Sequence, residues 1–84
     1  MRWAVIVDDG AAKRMRRFPR QDQERIATTL VEMEADPFTG DIVRLKGSNG
    51  FRRRVGAYRI LFDVNVPSRR VEVTDITRRT TTTY

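Results

Sequence analysis

The sequence predicts an α+β fold in which a helical hairpin packs on one face of a mostly antiparallel, twisted sheet, in the order β-α-α-β-β-β-β. A short β-branched run opens the chain, and apolar residues then recur every three to four positions up to residue 35, as on one face of a helix. After residue 40 the apolar period shortens to two, which is typical of strands in a half-covered sheet. We expect residues 1–84 to form a single domain, because the chain shows no repeat or linker and is short enough for only one modest core.

The first half of the chain predicts one strand and two helices. The run "WAVIV" at residues 3–7 is β-branched and is closed by two aspartates and a glycine, so it predicts a strand. The segment "AAKRMRRF" predicts a helix with Asp8 or Asp9 as its N-cap, and "QDQERIATTLVEMEA" predicts a second helix that Asp36 and Pro37 end. The apolar stripes of the two helices contain Ala11, Met15, Phe18, Ile26, Ala27, Leu30, Val31 and Met33.

The second half predicts four strands, in the segments "DIVRLKG", "FRRRV", "YRILFDV" and "RVEVTDI". Gly56 and Ala57 are the only residues between the second and third of these, a spacing that fits a tight two-residue hairpin. Such a loop places Arg54 directly opposite Arg59. The core face of the hairpin then carries Phe51, Val55, Tyr58, Ile60 and Phe62.

The other face of this hairpin is predicted to be basic. Alternation places Arg52, Arg54, Arg59 and Leu61 on it, and pairing Val71 and Val73 with Val64 and Phe62 would add Thr74, Ile76 and Arg78. We expect no acid at its centre, with Asp63 and Glu72 toward the other end of the hairpin. Like charges opposite each other are destabilising, so the cluster indicates either an anion site or, equally, an ordinary solvated face.

Arg53 breaks the pattern, because the same alternation points it into the core. We expect a β-bulge or an exposed sheet edge at this position.

Charge and composition narrow the classes of function. The net charge of +6 is concentrated after residue 43, where ten basic and three acidic residues follow a half with seven basic and eight acidic ones, so a polyanion such as RNA is the expected partner. Cysteine and histidine are both absent, which excludes thiolate nucleophiles and an imidazole base. We expect no metal or cofactor, and no apolar run approaches the length of a membrane span, so a cytoplasmic protein is expected.

The segment "LKGSNGFRRRVGAYRILFDVNVPSRRVEVTDITRR" resembles the RelE/ParE superfamily of toxins from type II toxin–antitoxin modules. The family pattern is Leu-x-Gly, an aromatic residue with alternating basic residues, Gly-x-Tyr-Arg-aliphatic, a valine-rich strand and a basic residue near the end. The matching positions are Leu45, Gly47, Phe51, Arg52, Arg54, Gly56, Tyr58, Arg59, Ile60, Val71, Val73 and Arg78. The specific match covers about half of the chain, and the predicted order of elements is similar throughout.

The resemblance to the RelE branch implies an mRNA interferase, an endoribonuclease that cleaves messenger RNA in the ribosomal A site without a metal. The reaction would be attack of an RNA 2′-hydroxyl on the adjacent phosphate. The catalytic residues implied are Arg52, Arg54, Arg59, Arg78 and Tyr84. The resemblance places Arg59 on the phosphate, Arg78 on the leaving-group side, and Tyr84 as a base or a stacking residue. RelE-type toxins often have lysines where this chain has Arg52 and Arg54, and arginine cannot serve as a base.

Two kinds of partner follow. Basic side chains outside the predicted catalytic cluster could hold the protein against ribosomal RNA, namely Lys13, Arg14, Arg16, Arg17, Arg44 and Lys46. The resemblance also implies an acidic, RelB-like antitoxin that covers the basic site. Two other functions stay open: a ParE-like inhibitor of DNA gyrase without nuclease activity, and a non-catalytic domain that binds RNA or an antitoxin.

Overall fold

The computed structural model of the chain describes residues 2–47 and 50–78. The elements are β1 (Ala4–Val7), α1 (Asp9–Met15), α2 (Arg20–Ala35), β2 (Ile42–Arg44), β3 (Gly50–Val55), β4 (Tyr58–Asn65) and β5 (Arg70–Arg78). The predicted fold class and element order are therefore confirmed. No helix in the described ranges is long and apolar enough to cross a membrane.

The five strands form one sheet in the order β1-β5-β4-β3-β2. The pairs β2–β3, β3–β4 and β4–β5 are antiparallel, whereas β1 lies parallel to β5. The three antiparallel strands β3, β4 and β5 are contiguous, and the short strands β1 and β2 lie at the two edges. The segment that resembles the toxin superfamily, residues 45–79, therefore contains β3, β4 and β5, the contiguous centre of the sheet.

The core lies between the two helices and one face of the sheet. Ile26 and Met33 of α2 and Ala11 of α1 are almost fully buried in one cluster with the apolar residues of β4 and β5. The predicted stripe of α2 is partly wrong, because Ala27 is exposed, Val31 is 58% exposed and Thr29 is buried instead. With about 3.6 residues per turn, Thr29 lies between Ile26 and Met33 on the buried face, whereas Val31 is turned away from it.

A two-residue turn joins β3 to β4 and sets the register of the hairpin. Val55 pairs with Tyr58 and Arg54 pairs with Arg59, as predicted. Gly56 has a φ of 57°, and a Cβ atom on it would lie 2.7 Å from Nη1 of Arg25 on α2. Glycine is favoured here for its backbone angle, because the guanidinium of the exposed Arg25 could move away from a Cβ atom.

The pairing of β5 with β4 begins as the sequence predicts. Val71 lies opposite Val64, and Val73 lies opposite Phe62, all on the core side. The register then shifts between Leu61 and Phe62, so that the strands contain a β-bulge at this point.

The bulge reverses the predicted orientation of the rest of β5. Beyond it Ile76 pairs with Ile60 and is fully buried, and Arg78 pairs with Tyr58, whose side chain is in the core. The prediction that Ile76 and Arg78 lie on the outer face is therefore wrong. Thr74 is the extra residue of the bulge, and one extra residue is enough to exchange the two faces of a strand.

Candidate active site

Three arginines project from the sheet face that lies opposite the helices. Arg52 and Arg54 on β3 and Arg59 on β4 alternate with core residues, so all three point away from the buried cluster. Each is half-buried despite lying on this open face. The alternation predicted from the sequence thus brings these three residues together.

Their guanidinium groups have unused donors. The Nε atoms of Arg52, Arg54 and Arg59 are buried and have no hydrogen-bond partner among the residues the structure describes. A buried donor without a partner costs about 1–3 kcal/mol. Arg54 and Arg59 are also direct cross-strand neighbours of like charge, which adds to that cost. A phosphate oxygen is a suitable acceptor for donors of this kind, because guanidinium groups bind phosphate with two parallel hydrogen bonds.

Two carboxylates lie closer to this cluster than the sequence predicts. Asp41 Oδ2 is 3.9 Å from Arg54 Nε, and the Asp41 side chain is 57% exposed. Asp75 lies opposite Leu61 in the sheet, but its Oδ1 accepts a hydrogen bond from the Ile76 amide and pairs with Arg14 Nε at 3.3 Å. The expectation that no acid lies near the centre is therefore wrong. Exposed ion pairs of this kind contribute at most about 1 kcal/mol to stability. They therefore offset little of the positive charge of the three arginines.

Arg78 lies apart from the other three arginines. It is the last residue of β5 and pairs with Tyr58, so the strand directs it to the side of the sheet that carries the helices. Its positive charge acts on Tyr58, where it lowers the pKa of the phenol. The structure therefore does not join Arg78 to the face that carries Arg59.

Tyr58 connects this end of the sheet to α2. Its hydroxyl donates a 2.6 Å hydrogen bond to Asp22 Oδ2, and its ring packs against Phe18 with centroids 4.5 Å apart. The hydrogen bond to Asp22 and burial raise the pKa of Tyr58, and they outweigh the opposing effect of Arg78. Sequence reasoning placed Tyr58 in the core but missed Asp22, which as an acid in the first turn of α2 reads as an ordinary helix-terminus residue.

Arg53 is buried on the helix side, as alternation predicts, but without the expected bulge or edge. Its Nη2 donates to Glu32 Oε1 at 2.7 Å, and its side chain is only 10% exposed. Gly40 makes room for the guanidinium, since a Cβ atom there would lie 2.7 Å from Arg53 Cζ. The salt bridge with Glu32 allows an arginine in the core, so β3 keeps an unbroken alternation and presents Arg52 and Arg54 together.

The residues predicted to contact ribosomal RNA form two separate groups. Lys13 and Arg14 are exposed on α1, and Arg16 and Arg17 are exposed directly after this helix. The ion pair of Arg14 with Asp75 connects α1 to β5. Arg44 and Lys46 are exposed on and after β2, at the far edge of the sheet. The two groups therefore lie on opposite sides of the arginine face. Tyr84, the fifth predicted catalytic residue, lies outside the described residues.

The fold is similar to those of several toxins of known structure. A chain of the archaeal RelE–RelB complex from Pyrococcus horikoshii OT3 has a TM-score of 0.86 at 20% identity, over 98% of this chain and 100% of that one. The isolated RelE toxin of E. coli has a TM-score of 0.81 at 19% identity, over 95% and 87%. The YoeB/ParE toxin from Agrobacterium tumefaciens has a TM-score of 0.76 at 19% identity, over 92% and 99%.

No protein-family model matches the chain, and no curated protein matches its sequence. The similarity to the solved toxins is one of fold, and it is the fold that the resemblance of the sequence implied. The chain thus has the RelE-like fold, with three arginines on its open sheet face.

Proposed function

From the RelE-like fold of this chain, we propose that it is the toxin of a type II toxin–antitoxin pair and a ribosome-dependent endoribonuclease that cleaves messenger RNA. The observation that carries this proposal is the open sheet face, where Arg52, Arg54 and Arg59 each have a buried Nε without a partner among the described residues. Donors gathered in this way suit the phosphate of an RNA backbone. The same cluster argues against a ParE-like gyrase inhibitor, which would have no use for a phosphate site.

The proposed reaction is attack of a ribose 2′-oxygen on the adjacent phosphorus. The bond to the 5′-oxygen breaks, and the products are a 2′,3′-cyclic phosphate, which can open to a 3′-phosphate, and a 5′-hydroxyl. Negative charge grows on the phosphate oxygens as the new bond forms. Arg59 would bind these oxygens, with Arg52 and Arg54 adding charge beside it, and stabilisation of this kind is often the largest contribution to catalysis.

A base is needed for the 2′-hydroxyl, and no arginine can provide it, because guanidinium groups stay protonated in proteins. Tyr84 is the proposed base. An unperturbed tyrosine has a pKa of about 10, so forming the phenolate at pH 7 costs about 4 kcal/mol, which neighbouring arginines would reduce. A second role for Tyr84, stacking on a nucleobase, has no such cost.

Arg78 stays a predicted catalytic residue on the leaving-group side. Its position opposite Tyr58 gives that role no support, so the proposal rests on the three arginines of the open face.

The proposed site consists of arginines and Tyr84, without a histidine, so we propose that the ribosome supplies much of the rate by holding the message in position. The substrate would then be mRNA in the ribosomal A site, in the cytoplasm. The solved relatives include RelE–RelB complexes, and we propose an acidic antitoxin of this kind as the partner that covers the arginine face.

Purified ribosomes carrying a message in the A site test this proposal directly. We expect cleavage within the A-site codon, very slow cleavage of the same RNA without ribosomes, and a loss of about 10²- to 10³-fold in single-turnover rate for Arg59→Ala. Arg70→Ala is the matched control, because Arg70 is an exposed arginine at the other end of β5. Equal rates for Arg59→Ala and Arg70→Ala would contradict the proposal. Inhibition of DNA gyrase with intact messages would support the ParE-like alternative.

A further inference from the structure

The β-bulge of β5 decides which side chains of this strand lie beside the arginine cluster. Beyond the bulge Ile76 is fully buried on the core side, so its neighbours Asp75 and Thr77 project to the open face. Thr77 lies directly opposite Arg59, and Asp75 lies opposite Leu61. The face that carries the proposed phosphate site therefore also carries a carboxylate.

In the described ranges, Arg59 is the arginine of this face that the register places nearest to Asp75. The two residues are diagonal neighbours on β4 and β5, and the Cα atoms of such neighbours are about 7–8 Å apart, within reach of a long side chain. Arg52 and Arg54 are one strand further away on β3, and Arg70 lies at the far end of β5. The backbone therefore permits an ion pair between Asp75 and Arg59.

The structure does not form this pair. Asp75 Oδ1 accepts a 2.9 Å hydrogen bond from the Ile76 amide and lies 3.3 Å from Arg14 Nε. The Nε atom of Arg59 is buried and has no hydrogen-bond partner among the described residues. The carboxylate of Asp75 thus pairs with α1 and not with the arginine beside it on the sheet.

This choice of partner matters for a phosphate site. Carboxylates and phosphates compete for a guanidinium group, because each can accept two parallel hydrogen bonds from it. A carboxylate paired with Arg59 would occupy those donors, and its negative charge would repel an incoming phosphate. Arg14 opposes both effects, because it holds the Asp75 carboxylate and offsets its charge. Asp41 lies outside this arrangement, since its contact is with Arg54.

We propose that Arg14 is a positioning residue of the phosphate site, which holds Asp75 and thereby leaves Arg59 available to a phosphate. This role deepens the proposed function and rests on it, because it concerns the same phosphate site. Arg14 then acts on Arg59 through a carboxylate, and its contribution does not depend on its own contact with RNA.

NMR spectroscopy of the purified protein tests this role without any assay of cleavage. The probe is inorganic phosphate, and the readout is the side-chain Nε–Hε signal of Arg59, which is assigned by its absence from the Arg59→Lys variant. We expect Arg14→Gln to bind phosphate about two- to fivefold more weakly than the wild type, a loss that one exposed ion pair can produce. Arg14→Lys keeps the charge and should stay close to the wild type.

The decisive comparison uses Asp75→Asn. Alone, this change should alter the phosphate affinity little, because Arg14 already holds the carboxylate. Combined with Arg14→Gln, it should restore the wild-type affinity, because no carboxylate is left to pair with Arg59. If Arg14 acted only through its own charge, Arg14→Gln would cause the same loss with and without Asp75→Asn. Such additivity would overturn the proposal.

The ion pair of Arg2 with Glu34 is a matched control. Its atoms are 3.2 Å apart with side chains 73% and 39% exposed, against 3.3 Å, 61% and 32% for Arg14 and Asp75. Arg2 precedes β1, which pairs with the end of β5 that lies far from the arginine cluster. Arg2→Gln should therefore leave the phosphate affinity unchanged. Equal losses in Arg2→Gln and Arg14→Gln would indicate an effect of net charge and count against the proposal.

A crystal structure of the Arg14→Gln variant shows the rearrangement directly. We expect an Asp75 oxygen within about 4 Å of the Arg59 guanidinium, the distance that defines an ion pair. An Asp75 carboxylate that remains turned toward α1 would contradict the proposed competition. Thermal unfolding of each variant checks that it folds.

Cleavage distinguishes this inference from the proposed function. On programmed ribosomes at saturating toxin, the single-turnover rate should fall in Arg14→Gln and recover in the double variant with Asp75→Asn. Phosphate binding that follows this pattern in a protein that cleaves no RNA would contradict the nuclease and leave the role of Arg14 intact. Cleavage that depends on Arg59 but not on Arg14 would overturn the role of Arg14 alone. An Arg59 signal that does not respond to phosphate would contradict the phosphate site and this role together.

Discussion

At the scale of single residues, the three consecutive arginines of β3 have different surroundings. Arg53 is buried on the helix side and pairs with Glu32 through Nη2, although its Nη1 has no hydrogen-bond partner among the described residues. Its neighbours Arg52 and Arg54 project to the open face instead. The charge of Arg53 is thus balanced within the fold by Glu32, whereas Arg52 and Arg54 lie on the face that we propose binds phosphate. Tyr58 and Asp22 form a second polar contact on the helix side, separate from the arginine cluster.

The hydrogen bond between Tyr58 and Asp22 predicts a loss of stability in alkali. The pKa of Tyr58 in the folded protein is raised above 10.0, chiefly by this bond. The unfolded chain therefore loses its proton first, so the stabilisation is complete below pH 10 and is lost as the pH rises through the folded-state pKa. Urea unfolding of the wild type between pH 7 and pH 11 should show this decline.

The same unfolding measurements on the Tyr58→Phe variant give the comparison with the wild type. We expect this substitution to lower the free energy of unfolding by about 1–3 kcal/mol at pH 7, because Asp22 loses its buried donor. The difference between the two proteins should shrink above pH 10. A constant difference up to pH 11 would show that the phenol does not titrate in the way described.

The turn at Gly56 leads us to expect that one added methyl group strongly lowers stability. Gly56→Ala should destabilise the protein by about 1–3 kcal/mol, because alanine is strained at a φ of 57°. Gly10→Ala in α1, where nothing lies within 4 Å of the new Cβ, should instead be neutral or stabilising. Thermal unfolding of both variants measures the contrast, and equal effects would argue against the turn geometry.

At the scale of elements, β3 is held in place from both sides. Its pairs with β2 and β4 set the register, and the contact of Arg53 with Glu32 joins it to α2. Because Gly40 packs against the same guanidinium, the connection between α2 and β2 is fixed to β3 as well. The position of the arginine face thus depends on a salt bridge on the other side of the sheet.

A double-mutant cycle measures that salt bridge. Glu32→Ala should lower the free energy of unfolding by about 1–2 kcal/mol, less than for a fully buried pair because Glu32 is 55% exposed. In the Arg53→Met background the same change should cost little. The exposed pair of Arg2 and Glu34 is the control, and Glu34→Ala should cost at most about 1 kcal/mol. Additive effects of Glu32→Ala and Arg53→Met would contradict the coupling.

The predictions from sequence succeeded where a simple period decides the structure. Alternation placed Arg52, Arg54 and Arg59 together because β3 and the hairpin turn are regular. It failed for Arg78, since a bulge adds one residue to β5 and no turn residue or proline marks it in the sequence. Asp22 and Glu32 were missed for a different reason: each belongs to a helix, and its partner on the sheet depends on how the helices pack.

At the scale of the whole molecule, exposed basic groups lie outside the arginine face as well as on it. The basic group around α1 lies beside β5, and the basic group around β2 lies at the other edge of the sheet, so each could offer the proposed RNA partner phosphate contacts beyond the arginine face. Such contacts add affinity that depends on salt but contribute little to the chemical step.

We expect the basic residues in and after α1 to affect ribosome binding and not the chemical step. Changing Lys13, Arg16 and Arg17 to glutamine should weaken ribosome binding and lower the slope of log affinity against log salt by about 2–3, while the single-turnover rate at saturation stays the same. Arg14 is left unchanged because it pairs with Asp75. Filter binding at several salt concentrations measures the slope. A lower saturating rate with an unchanged slope would place these residues in the chemistry instead.

We propose that the arginine face cleaves messenger RNA during translation. The most direct test is brief expression in bacteria followed by mapping of new RNA 5′ ends, with the wild type beside Arg59→Ala and Tyr84→Phe. We predict cuts inside translated codons that bear 5′-hydroxyl groups and are lost in both variants. Growth arrest with intact messages, or the same cuts in Arg59→Ala, would contradict the proposed nuclease function.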